Sequence, residues 1–268
     1  MLLMTKCEPG VLKPLRGYDV RLRAVFSGVI LILASGLWAP MAIAAPGFTP
    51  HSAEYKVKMS VLSGRLRTQL KSTPTGYQAT HRVEPTGLAK MFAKGAIEER
   101  SSFNVTGNGV LPIHYLSSDT LSKKKTHAEV DFDWSDRSLA GVVNDVAIAQ
   151  ELETFVRDRV SIQYQLMHDL LRGDGRGNEQ YVLFDIDEMK TVNIRSIGSK
   201  RVKVPAGKFE AIGIQHQRKN SSRVTTLWCV EELGFLPVII EQHRKGKRRL
   251  YATLKTYEPI STGASGGK

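Results

Sequence analysis

The sequence predicts a mainly β protein: an antiparallel curved sheet, a barrel or half-barrel, with one amphipathic helix packed on it. Three observations carry that expectation. Apolar and polar residues alternate with a period of two in several stretches. Turn-forming Gly, Pro and Asn residues punctuate the chain at short intervals. Helical spacing stands out in one segment, and no alternation of strands with helices of the parallel α/β kind appears.

The first strand is read from Ser52 to Val61, where Ala53, Tyr55, Val57, Met59 and Val61 alternate with Ser52, Glu54, Lys56, Lys58 and Ser60. Period-two alternation gives a strand with one wet face. Tyr55, Val57 and Met59 then face inward, where they either line a ligand cavity or fill the core, as small barrels are commonly filled by their own side chains. Turns are expected at Ser63-Gly64, Pro74-Thr75-Gly76 and Gly107-Asn108-Gly109, and a shorter helix in Gly87–Lys94. Glu129–Trp134 repeats the strand pattern, with Val130, Phe132 and Trp134 on one side. From Asp158 to Leu171, Val160, Tyr164, Met167 and Leu171 fall at helical spacing, with Asp158 as N-cap and Gly173 just past the end. Two later turns are expected at Pro205-Ala206-Gly207 and Lys245-Gly246-Lys247, and Cys229 within Leu227–Val230 reads as a buried thiol.

The N-terminal region predicts export. Arg21 and Arg23 precede an apolar run from Ala24 to Trp38, and Ala42-Ile43-Ala44 matches the small-residue cleavage pattern of a secretory signal. The run is shorter than the roughly 20 apolar residues of a membrane span and is followed by Pro40. The expected organisation is a leader and cleaved signal over 1–44, one antiparallel β domain over 45–258 and a disordered Gly/Ser-rich tail over 259–268, with a periplasmic location. Cys7 leaves with the leader, so Cys229 has no intrachain partner.

Net charge is +12, from 38 Lys and Arg against 26 Asp and Glu, and the leader removes only five basic and two acidic residues. Nucleic acid is the usual partner of a basic protein, but the export signal argues against it. The candidate partner is instead an anionic lipid or glycan of the cell envelope. The densest charge lies in His243–Arg249, where Lys245, Lys247, Arg248 and Arg249 surround a tight turn. These four residues are either a solvated guard against strand-edge pairing or an electrostatic contact with anionic headgroups or glycans.

Chemistry-bearing patterns are few. The seven histidines are scattered without ligand spacing, and no nucleophile elbow, P-loop or dinucleotide fingerprint occurs. No metal, cofactor or catalytic set is assigned. Asp158, Arg159 and Ser161 are the first suspects for an enzymatic site, since they bring an acid, a cation and a hydroxyl to one helix start. Their plainer role is N-capping with a surface ion pair.

The distal half is similar to a known family. Asp158-Arg159-Val160-Ser161, then Val204-Pro205-Ala206-Gly207-Lys208-Phe209-Glu210-Ala211, then Trp228 ahead of Gly234-Phe235-Leu236-Pro237-Val238-Ile239-Ile240-Glu241, resemble the bacterial domain-of-unknown-function family 3108. Gly109-Val110-Leu111-Pro112 with Tyr115, and Phe132-Asp133-Trp134, look like it too. The resemblance implies an exported β protein without established activity and transfers no site residue. A further likeness to periplasmic lipoprotein carriers, whose half-barrels hold acyl chains, rests on fold analogy. The expected function is therefore a non-enzymatic lipid- or glycan-binding or envelope-assembly factor. The rival is a hydrolase or transferase acting on an envelope glycan or lipid.

Overall fold

The structure, a computed structural model, describes residues 47–59, 62–173, 180–186, 188–218 and 221–261. The expected leader and cleavage site lie outside these residues, as does most of the expected tail. In chain order the elements are β1 (His51–Met59), β2 (Leu62–Thr73), β3 (Gly76–Pro85), α1 (Ala89–Phe92), β4 (Ile97–Thr106), β5 (Gly109–Asp119), β6 (Thr126–Asp133), β7 (Ser138–Val143) and β8 (Val146–Glu151). They continue as β9 (Val156–Arg157), α2 (Ser161–Arg172), β10 (Gln180–Asp185), β11 (Glu188–Val204), β12 (Gly207–Arg218), β13 (Arg223–Val230), β14 (Leu236–Arg244) and β15 (Lys247–Pro259).

All fifteen strands share one curved, unclosed sheet. The first and last strands meet near its centre: β1 pairs with β2 on one side and with β15 on the other. The chain meanders outward from β1 to the edge strand β8, and α2 follows β9 at the opposite edge. It then meanders back from β10 to β15. Every pairing is antiparallel except β9 with β10. Only that pairing follows a helical crossover, which parallel neighbours require.

Register assigns one inner face. Tyr55 lies opposite Leu254, and Val57 opposite Ala252, and all four are buried. The helix α2 packs on this face against β4 and β5. Tyr164 sits 5.1 Å from Phe103 and 5.5 Å from Phe48, ring centre to ring centre. Each fully buried aromatic side chain of this kind contributes roughly 1.5–3 kcal/mol of transfer free energy. Val160, Tyr164 and Met167 are buried as the helical spacing predicts, and Leu170 is buried where the spacing places Leu171, which is 37% exposed. Leu166 is buried as well, so the helix meets the sheet over a broader face than the predicted stripe.

Most turns fall where the sequence places them. Residues 74–75, 107–108, 205–206 and 245–246 each connect neighbouring antiparallel strands. Ser63-Gly64 is a correction: both residues lie inside β2, opposite Lys58 and Val57. A side chain at Gly64 would stand 3.1 Å from the Glu84 carbonyl oxygen. The glycine therefore permits close approach of β3 and makes no turn. Pro237 follows the first residue of β14, and its carbonyl accepts the Tyr55 hydroxyl at 2.9 Å.

Cys229 is fully buried, and burial pushes its thiol up to about 12. A thiol reagent is expected to leave the native protein unlabelled and to label it fully after denaturation. Rapid labelling of native protein, followed by mass spectrometry, would contradict that burial.

Candidate functional site

The inner face along β1 is apolar at Ala53, Tyr55 and Val57, with the buried His51 at the strand start, and it carries a polar row farther across. Thr68, His81, Glu99 and Ser117 lie directly opposite one another on β2, β3, β4 and β5. Thr68 Oγ1, His81 Nε2 and Ser117 Oγ are buried without a hydrogen-bond partner. Desolvation, with His51 and Arg159 nearby, holds the His81 imidazole down to about 4. The signal in the sequence is one of phase. Leu66 and Leu70 set the inward positions of β2, and Thr68 stands between them. Sequence reasoning passed over it because a threonine does not interrupt a strand pattern.

Glu99 leads from this row to the start of α2. Its carboxylate accepts the Tyr115 hydroxyl at 2.7 Å and pairs with the Arg159 guanidinium at 3.1 Å. Burial and the neighbouring Glu99 carboxylate push the Tyr115 phenol well above its ordinary range. Asp158 is fully buried. One carboxylate oxygen accepts the Val160 and Ser161 backbone N–H groups, both at 2.8 Å, and the other accepts the Ser101 hydroxyl at 2.6 Å. Ser161 Oγ accepts the Asp158 backbone N–H at 2.9 Å, which completes a reciprocal cap. Desolvation raises the Asp158 carboxyl above its ordinary value, and these hydrogen bonds hold the rise in check.

The three suspects at this helix start therefore diverge. Asp158 and Ser161 are turned into the cap, while Arg159 points away to Glu99 and to Asp185, 3.7 Å distant. Among the described residues, no three His, Cys, Asp or Glu side chains are grouped so as to hold a metal ion.

Beyond Asp185 the inner face opens into a groove of about 590 Å³. Cations and polar groups line it, among them Lys190, His216, Arg218, Arg223, Thr225, Gln242 and Arg244, with Asp185 and Glu188. Register places them together: His216 is opposite Thr225, Thr225 opposite Gln242, and Arg223 opposite Arg244. Lys190 pairs with Asp185 and, at 2.6 Å, with Glu188. Desolvation holds His216 down to about 4, so the groove's positive charge near neutral pH comes from its arginines and Lys190.

Arg223, Gln242 and Arg244 also line an adjoining groove of about 520 Å³, whose other walls are Lys245 and Arg249. No carboxylate lines this second space. Of the sequence-nominated residues, Lys245 and Arg249 thus border a concave basic surface. Lys247 and Arg248 are exposed at the start of β15, where Arg248 stacks 4.7 Å above the Tyr251 ring. Tyr55 and Val57 are buried beneath α2's side of the sheet, and Met59 is 49% exposed at the strand end. None of the three lines either groove.

The model of one protein family, described as a protein of unknown function (DUF3108), matches residues 52–253. The chain belongs to this family. The match runs from β1 into β15 and so takes in the inner polar row, the α2 cap and both grooves. Among solved structures, the chain is similar to a β-barrel-like protein of the DUF1849 domain of unknown function from Brucella abortus. Identity is 10% over 81% of this chain and 100% of that one, with a TM-score of 0.55, a likeness of fold. A Bacteroides fragilis protein with a YmcC-like fold is 11% identical over 80% of this chain and 97% of that one, with a TM-score of 0.32. No curated protein matches the chain.

Proposed function

We propose that this DUF3108 protein is an exported, non-enzymatic binding protein of the bacterial envelope whose inner-face grooves receive an anionic lipid or glycan. One observation carries the reading: two contiguous grooves share Arg223 and Arg244, and the outer one adds Lys245 and Arg249 with no lining carboxylate. Guanidinium groups suit phosphate and carboxylate because they offer paired donors in a fixed plane. The signal-like sequence at Arg21–Ala45 supports an envelope location. The capped arrangement of Asp158 and Ser161 supports binding over catalysis, since both groups are committed to the helix start.

The test is native mass spectrometry of protein purified from the periplasmic fraction of its own cells. The expected species is a polypeptide starting at Ala45 that carries added mass, with that mass absent from a variant bearing Arg223→Ser and Arg244→Ser. Both positions are exposed, so the variant should fold. A bare polypeptide, or added mass retained by the variant, would overturn the reading.

A further inference from the structure

The ends of β1, β3 and β5 and the starts of β2, β4 and β6 lie side by side at one end of the sheet, because these strands are antiparallel neighbours. At this rim stand the three most exposed large apolar residues of the described chain: Phe92 at 81%, Leu88 at 77% and Met91 at 72%. Met59 and Leu62, directly opposite each other at the ends of β1 and β2, are also exposed. Soluble monomers rarely leave such residues grouped on their surface without a use.

The apolar rim is held in place. The Thr86 N–H donates to the Ser63 carbonyl at 3.0 Å, and Ala89, buried on the underside of α1, bonds back to Thr86 at 3.2 Å. On the other side, the Ala96 N–H donates to Thr120 Oγ1 at 3.1 Å, and the Thr120 N–H donates to the Ala96 carbonyl at 2.9 Å. Thr120 opens the connection that carries Lys123, Lys124 and Lys125, all exposed. Lys90 and Lys94 flank the apolar side chains within α1's own connection. Neither connection, 86–96 or 120–125, contains a carboxylate. An apolar tip surrounded by lysines matches the layering of an anionic bilayer, whose phosphates lie just outside the acyl boundary.

We propose that this rim docks the protein on an anionic phospholipid membrane, with Leu88, Met91 and Phe92 entering the interface and the five lysines lying against headgroup phosphates. The docking does not rest on the grooves holding a ligand, since the two sites share no residue. Each lysine near the surface is worth about fivefold in partitioning, and each apolar side chain moved out of water about tenfold or more. The lysine contribution is screened over about 8 Å at physiological salt.

The experiment is co-sedimentation of protein purified from cells with phosphatidylcholine vesicles, with and without phosphatidylglycerol, across a salt series. Wild type should bind the mixed vesicles and release them as salt rises. A variant with Leu88→Ser, Met91→Ser and Phe92→Ser should bind about 1,000-fold more weakly, and one with Lys123, Lys124 and Lys125 as serine about 100-fold more weakly at low salt. These side chains are exposed, so circular dichroism should show both variants folded. In a Phe92→Trp variant, acyl-chain bromines should quench the new indole fluorescence. Equal binding by wild type and the apolar variant, or failure to bind mixed vesicles at low salt, would overturn the proposal. A dimer that the apolar variant dissolves, without vesicle binding, would assign the rim to a second copy and overturn it as well. Loss of the native-mass adduct leaves this result untouched, so the two proposals fail separately.

Discussion

Replacement of Asp158 by alanine is expected to lower the unfolding free energy by about 2–4 kcal/mol. Loss of a side-chain cap alone costs about 0.5–2 kcal/mol. Here the carboxylate also satisfies the buried Ser101 hydroxyl, and a buried polar group left without a partner costs about 1–3 kcal/mol more. Asp158→Asn should stay within about 1 kcal/mol of wild type, because its amide oxygen keeps the two backbone bonds and its NH₂ can donate to Ser101. The same variant tests the charge. With its folded value above its unfolded one, Asp158 makes the native state bind more protons between the two. Its ionisation therefore removes stability as pH rises through that window, and the cost is complete above the folded value. Glu54 and Glu84 act oppositely: Lys255 and Arg65 respectively hold them low, so their contributions are present above the ordinary carboxylate value and are lost as pH falls. Subtracting the Asn variant's urea-unfolding profile from that of wild type isolates Asp158. Asp158→Asn should gain stability relative to wild type with rising pH. A difference of the opposite sign would show that the charge supports the fold.

The reach of sequence reading here follows from which interactions are local. Alternation in Ser52–Val61 placed Tyr55 and Val57 inward because side-chain direction along a strand is set by the strand itself. The spacing of Val160, Tyr164 and Met167 gave the buried stripe of α2 for the same reason. What escaped is whatever depends on partners distant in sequence. Thr68, His81, Glu99 and Ser117 form a row only once four strands are in register. Arg223 and Arg244 become neighbours only through the pairing of β13 with β14. Gly64 misled because a glycine that makes room for a neighbouring backbone carries the same letter as one that makes a turn. The basic hairpin was conspicuous, yet its sequence did not show that Lys245 and Arg249 border a groove whose other walls lie on different strands.

Substitution of Gln165 by leucine is expected to cost about 3–5 kcal/mol, the largest effect of any single change considered. The Gln165 side chain is almost fully buried. Its Oε1 accepts the Val110 backbone N–H and the Arg157 Nε–H, both at 2.8 Å, while its Nε2 donates to Asp169 at 2.8 Å. Arg157 is itself buried, and desolvation holds its guanidinium down to about 10. A hydrogen bond to a charged group contributes about 1.5–3 kcal/mol, and a buried N–H left without a partner, here that of Val110, costs about 1–3 kcal/mol more, together a large part of the 5–15 kcal/mol that holds a typical domain folded. Gln165→Glu should be damaging for a different reason: the new carboxylate still accepts from Arg157 but stands against Asp169. The same side chain fills the space beside Gly109. Its φ of +111° suits glycine, and a Cβ there would lie 2.4 Å from Gln165 Oε1. Gly109→Ala is therefore penalised twice, by backbone conformation and by collision. In a Gln165→Ala background the collision disappears and the conformational penalty remains. Urea unfolding of the four proteins in that double-mutant cycle should show Gly109→Ala costing at least about 1 kcal/mol less beside Gln165→Ala than in wild type. Additive costs would mean that Gln165 moves aside freely and that the contact between α2 and β5 is not fixed by this hydrogen-bonded centre.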